Sequence, residues 1–137
     1  MTEFLIQSES EMHELGARLA HVLRAGDLVL FEGELGAGKT TLIRGILHEF
    51  GWKDAVRSPT YNLFAVYDTP TPVLHADLYR ISNTMGTGIE DYLDTYLCLV
   101  EWPNALADVA DLSEAKKVSI DFAGEGRRVH LHNFDIN

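Results

Sequence analysis

Cysteine is nearly absent from this chain. Cys98 is the only one in 137 residues, so no internal disulfide can form, and its place in an apolar run marks a buried, unreactive thiol. Basic residues are scarce as well. Eleven Lys and Arg stand against 21 Asp and Glu, for a formal net charge of −10, which argues against an extended nucleic-acid face. No apolar run is long enough to span a bilayer, and Met1 to Gln7 lacks the basic segment and long apolar core of a secretory leader, so the expected location is cytoplasmic, without a membrane partner. Internal repeats, low-complexity tracts and linkers are missing too. With 46% hydrophobic residues, the chain suits one globular domain over residues 1–137 and leaves no room for a second.

What is present is concentrated in Gly33-Glu34-Leu35-Gly36-Ala37-Gly38-Lys39-Thr40-Thr41, which fits the pattern Gly, four residues, Gly-Lys-Thr. Successive N–H groups of such a turn point into one concavity and, with the positive end of the following helix dipole, hold a phosphate chain. Glycine is needed because a Cβ would block the backbone angles or the approach of phosphate oxygens. On this reading Lys39 reaches the β- and γ-phosphates, and the Thr40 hydroxyl is a Mg²⁺ ligand. The context agrees. A strand-like run, Asp27 to Glu32, leads in, and Leu42 to Phe50 continues helically until Gly51.

The other segments predict an α/β fold of the P-loop NTPase kind, a central mixed sheet flanked by helices with an antiparallel C-terminal hairpin. Phe4 to Gln7 reads as a strand. Ser8 and Glu11 have the spacing of a capping box, and apolar residues at Met12, Leu15, Leu19, Val22 and Leu23 predict a helix that stops at Gly26. Tyr61 to Tyr67 and Val73 to Tyr79 predict an antiparallel pair around a proline-rich turn. A short amphipathic helix is expected over Ile89 to Tyr96 and another over 104–110. Leu97-Cys98-Leu99-Val100-Glu101 has the pattern of a buried parallel strand that delivers an acid to the sheet's C-terminal edge, where ligands bind in open α/β sheets. Lys116 to Phe122 and Arg127 to Phe134 close the chain as a hairpin.

Phosphoryl transfer asks a protein for positioning, charge neutralisation and an oriented attacking oxygen. Glu101 stands where an acid binds the metal directly or through water. Asp77 is a second carboxylate, able to orient water or share the metal shell, and the sequence does not divide the roles of general base and metal ligand between them. Thr60 is either a hydroxyl that senses the γ-phosphate or metal, or an ordinary turn residue after Pro59. His130 and His132 share a strand face but lack a third ligand. Trp52 and Trp102 read as packing residues. The Asn-Lys-x-Asp pattern that reads guanine is absent, which disfavours a GTPase. An arginine-rich lid is absent too, which disfavours a small kinase. A switch that binds nucleotide without turnover stays open.

Taken together, Gly33 to Thr41, Arg57-Ser58-Pro59-Thr60-Tyr61, His75-Ala76-Asp77-Leu78-Tyr79-Arg80 and Cys98-Leu99-Val100-Glu101-Trp102-Pro103 resemble the signature of the bacterial TsaE (YjeE) family. The likeness runs from the N-terminal helix through Glu101 and loosens in the C-terminal hairpin. It implies a small Mg²⁺-dependent ATPase, weak alone, that is needed for the threonylcarbamoyl modification of the adenosine beside the anticodon of tRNA. It implies the TsaD and TsaB subunits as partners, with tRNA met only through their complex. By position, Lys39 and Thr40 become phosphate and Mg²⁺ contacts, Glu101 a second Mg²⁺ contact, Asp77 and Thr60 active-site residues, and Glu9 a neighbour of the adenine. The sequence departs from the family at Ser82 to Gly88, which is shorter and lacks the usual acidic stretch, so no partner contact is carried over to that loop.

Overall fold

The computed structural model describes residues 2–56, 63–108 and 110–135. Its strands are β1 (Thr2–Ile6), β2 (Leu28–Glu32), β3 (Phe64–Tyr67), β4 (Val73–Asp77), β5 (Leu97–Glu101), β6 (Lys116–Ala123) and β7 (Gly126–His132), with helices α1 (Glu9–Ala20) and α2 (Lys39–Glu49). All seven strands join one sheet in the order β1-β7-β6-β2-β5-β4-β3. The middle is parallel, β2 pairing with both β5 and β6, and β5 with β4. The margins are antiparallel, β3 on β4 and β7 between β6 and β1.

The apolar run of β5 suits this central place because both of its faces are covered. Leu97 and Leu99 enter one core and Cys98 and Val100 the other, as the two-residue period of a strand requires. The first core lies under α1 and α2, where Leu15, Leu19, Leu42, Ile43 and Ile46 cluster with Val29, Phe31 and Leu99. Each such side chain, removed from water, contributes about 1.5–3 kcal/mol. Among the described residues the second core has no α-helix. Leu30, Leu74 and Val100 are closed over by Ile89, Ala105 and Leu106, which belong to the 3-10 turns Ile89–Asp91 and Pro103–Asp108.

The capping box forms: Glu11 N–H donates to Ser8 Oγ at 3.1 Å, and Gln7 N–H donates to the Glu11 carboxylate at 3.0 Å. Helix α1 nevertheless ends at Ala20, short of the Gly26 stop, because the chain tightens. His21, Val22 and Leu23 donate to carbonyls three residues back rather than four. Leu23 stays buried, so its spacing marked a core position without marking α-helix. The helix expected over Ile89 to Tyr96 is likewise only the three-residue 3-10 turn, followed by turns that feed β5. So short a segment gains few bonds for the cost of nucleation, and Tyr96 O is taken by Gly26 N–H. The last strand ends at His132 rather than Phe134, since Asn133 adopts φ 63°.

Helices α1 and α2 touch backbone to backbone. A Cβ on Gly45 would lie 2.1 Å from His13 O, so only glycine permits this approach. The contact seats α2 directly over the sheet, with its N-terminus at the edge where β2, β4 and β5 all end.

Candidate nucleotide-binding site

Register brings the acids together. Asp77, the last residue of β4, is paired with Glu101, the last of β5, while Phe31 of β2 is paired with Glu101 from the other side. Because Val73 and Leu99 face the helical core, the two-residue period sends His75, Asp77 and Glu101 to that face as well, toward the start of α2.

The turn between β2 and α2 ends on Gly38, the N-cap of α2, with φ 114°, a left-handed conformation that a Cβ would strain. Helix α2 has no side-chain cap and no acid in its first turn, in contrast to α1 with Ser8, Glu9 and Glu11. The positive end of its dipole is therefore uncompensated by its own residues. Lys39 opens the helix, and its Nζ donates to Gly33 O at 2.6 Å across the loop. The ammonium also lies 4.0 Å from the centroid of the Trp102 ring, a favourable cation–π distance. Trp102 reaches it from a φ of 54°, a strained backbone for a bulky residue. Its indole packs on Tyr79, with 4.8 Å between ring centroids, so its expected role as a packing residue is joined by contact with the lysine. Burial lowers the Lys39 pKa, and the nearby Glu101 and Asp77 carboxylates oppose that shift. Burial raises that of Asp77, reinforced by Glu101; the Tyr79 N–H, His75 and Lys39 act against it.

Glu101 is 3% exposed, and its Oε2 accepts from His75 Nε2 at 2.7 Å. Asp77 Oδ1 accepts from Tyr79 N–H at 3.1 Å. A cavity of about 330 Å³ is bounded by Leu35, Gly36, Gly38, Lys39, Thr40, Thr41, Asp77, Glu101 and Trp102. A second cavity, about 430 Å³, adjoins it behind Gly36, Ala37 and Gly38; its remaining walls come from Ile6 to Glu9, Met12, Thr41 and Glu125 to Arg127. Glu9 is thus on the wall of the second cavity, 3.8 Å from Arg44. Glu34 and Leu35 are exposed at the turn. Thr60 and the segment 57–62 lie outside the described residues.

The oxygen donors of Thr40, Asp77 and Glu101 suit a hard cation such as Mg²⁺, which is held by one or two carboxylates together with substrate phosphates. Among the described residues no group of three or more His, Cys, Asp and Glu could hold a metal by itself. His130 contacts Glu3 at 3.4 Å and Asp121 at 3.8 Å.

Two contributors were not singled out from sequence. Arg127, from the C-terminal hairpin, donates through Nε to Ala37 O at 3.1 Å and through a terminal nitrogen to Gly36 O at 3.3 Å, bracing the turn from behind. Nothing in the sequence separates it from Arg128. His75 carried a signal, being two residues before Asp77 and therefore on the same strand face.

The threonylcarbamoyl adenosine biosynthesis protein TsaE family model matches residues 6–130. A tRNA threonylcarbamoyladenosine biosynthesis protein TsaE from Streptomyces coelicolor is 48% identical over 99 residues, spanning 66% of each chain. One from Haemophilus influenzae is 36% identical over 137 residues, covering 92% of this chain and 85% of its own. Among solved structures, YdiB of Bacillus subtilis superposes with a TM-score of 0.81 at 26% identity, over 95% of this chain and 83% of that one. The architecture is that of a P-loop NTPase fold.

Proposed function

Because this chain belongs to the TsaE family of threonylcarbamoyladenosine biosynthesis proteins, we propose that it is the ATP-binding and ATP-hydrolysing component of that tRNA modification, acting on a TsaD–TsaB complex. The observation that carries this reading is the convergence of Lys39, Thr40, Asp77 and Glu101 on one cavity beside the glycine-rich turn. The turn's amides and the α2 N-terminus hold the phosphates, and Lys39 exchanges its bond to Gly33 O for one to a phosphate oxygen. Thr40 and Glu101 would hold Mg²⁺, with Asp77 sharing its shell or orienting water. The ion, when bound, neutralises charge on the β- and γ-phosphates. The adjoining cavity, with Glu9 on its wall, receives the nucleoside.

Partner dependence is supported by the mouth of the site. Leu35 is 70% exposed and Tyr79 57%, and both stand beside the phosphate cavity or against Trp102. Phosphate release from Mg·ATP is to be measured with the chain alone and with purified TsaD and TsaB. Slow release that the two subunits accelerate is expected. Binding without release under either condition favours the switch reading, and transfer to a small acceptor favours a kinase.

A further inference from the structure

His75 is completely buried, and among the described residues its ring makes one hydrogen bond, Nε2 to Glu101 Oε2 at 2.7 Å. Its Nδ1 is buried too and has no partner there. Burial of an imidazole costs free energy unless its polar atoms are satisfied. An aliphatic side chain, like those of Val73 and Leu99 in the adjoining core, would fill this place without that cost. What the ring supplies and an aliphatic side chain cannot is a donor aimed at a carboxylate. We propose that His75 is a positioning residue that holds the Glu101 carboxylate in the orientation required to accept the nucleotide's magnesium ion.

The geometry accounts for the arrangement. Glu101 ends its strand beside Asp77, a second acid in direct register. The bond to Oε2 restrains the Glu101 carboxylate at the wall of the cavity and does not occupy its second oxygen. Since a carboxylate accepts, Nε2 is the donor of this bond. Residues in this relation to a metal ligand typically change metal affinity about 10–100-fold when removed.

The inference rests on the Mg·nucleotide reading of the site, and the test separates the two. Binding of the non-hydrolysable analogue AMP-PNP is measured by calorimetry in EDTA and across a Mg²⁺ series, for the wild type, His75→Leu, His75→Gln and His75→Asn, after their melting temperatures are compared. Gln can place an amide donor near the position of Nε2; Asn is one methylene too short to do so. His75→Leu and His75→Asn are expected to weaken the apparent Mg²⁺ affinity about 10–100-fold and to leave binding in EDTA within about twofold. His75→Gln should recover most of the loss. Should His75→Leu fail to fold, the Gln and Asn pair decides. Unchanged Mg²⁺ dependence in the Asn variant, equal losses with and without Mg²⁺, or no recovery by Gln overturns the positioning role. A wild type whose binding Mg²⁺ does not strengthen overturns the reading of the site, and this inference with it.

Discussion

At the scale of single residues, Lys39 combines two tendencies that oppose each other. It is 4% exposed, and burial lowers its pKa despite two nearby acids. A cation so desolvated is expensive for the fold and useful for an anionic ligand, the usual opposition between stability and function at a binding site. Lys39→Met, which keeps the stem and removes the charge, is therefore expected to leave the melting temperature unchanged or raised while weakening nucleotide binding at least about tenfold, as loss of a buried charge-assisted bond implies; calorimetry and a thermal melt check both. Arg127 acts from the opposite side of the turn. Arg127→Ala removes the donors to Gly36 O and Ala37 O and should weaken nucleotide binding with and without Mg²⁺ alike, because it braces the turn rather than the ion. A loss confined to Mg²⁺ conditions would contradict that role.

At the scale of elements, the α1–α2 contact sets where α2 begins beside the candidate cavity. Ala is a better helix former than Gly by about 1 kcal/mol, so propensity alone says that Gly45→Ala stabilises α2. The structure says otherwise, since the new Cβ would stand 2.1 Å from His13 O, a backbone atom that cannot swing away. Destabilisation of about 1–3 kcal/mol or more is expected from overpacking, read as a shift in the urea midpoint. The same interface holds a histidine pair, His13 Nε2 and His48 Nδ1, 2.9 Å apart. Desolvation first, then His13 and Arg44, lowers the pKa of His48. A histidine whose folded pKa is depressed stabilises the fold above its unfolded pKa, near 6.5, and loses that contribution as pH falls through the lower folded value. The melting temperature should accordingly decline as pH drops below about 6.5, and less steeply in His48→Gln; parallel declines in the two proteins would locate the effect elsewhere.

At the scale of the whole molecule, charge and topology matter most. A net charge of −10 offers no general attraction for polynucleotide, so the isolated chain should bind tRNA no more tightly than a nonspecific Kd of about 10⁻⁴ M at physiological salt; fluorescence anisotropy with labelled tRNA measures this. The sheet order places β2 between β5 and β6, which are remote from it in sequence, and that order makes the acids of β4 and β5 neighbours of the turn that follows β2.

Much of this protein is local and therefore legible without coordinates. Loop glycines, Lys39 and Thr40 lie within nine consecutive residues, the Ser8 cap depends on a partner three positions on, and the apolar run ending in Glu101 announces a buried strand with an acid at its tip. Other features join parts distant in the chain, so no window of residues contains them. Arg127 reaches Gly36 across a hairpin, His75 meets Glu101 because two strands pair in one register, and Trp102 covers Lys39 through an unusual φ. The second core is closed by 3-10 turns rather than the expected helices because what covers a sheet depends on the space left over it, which hydrophobic periodicity does not encode. Periodicity sorts residues into inside and outside; strand pairing and packing decide which of those inside residues meet.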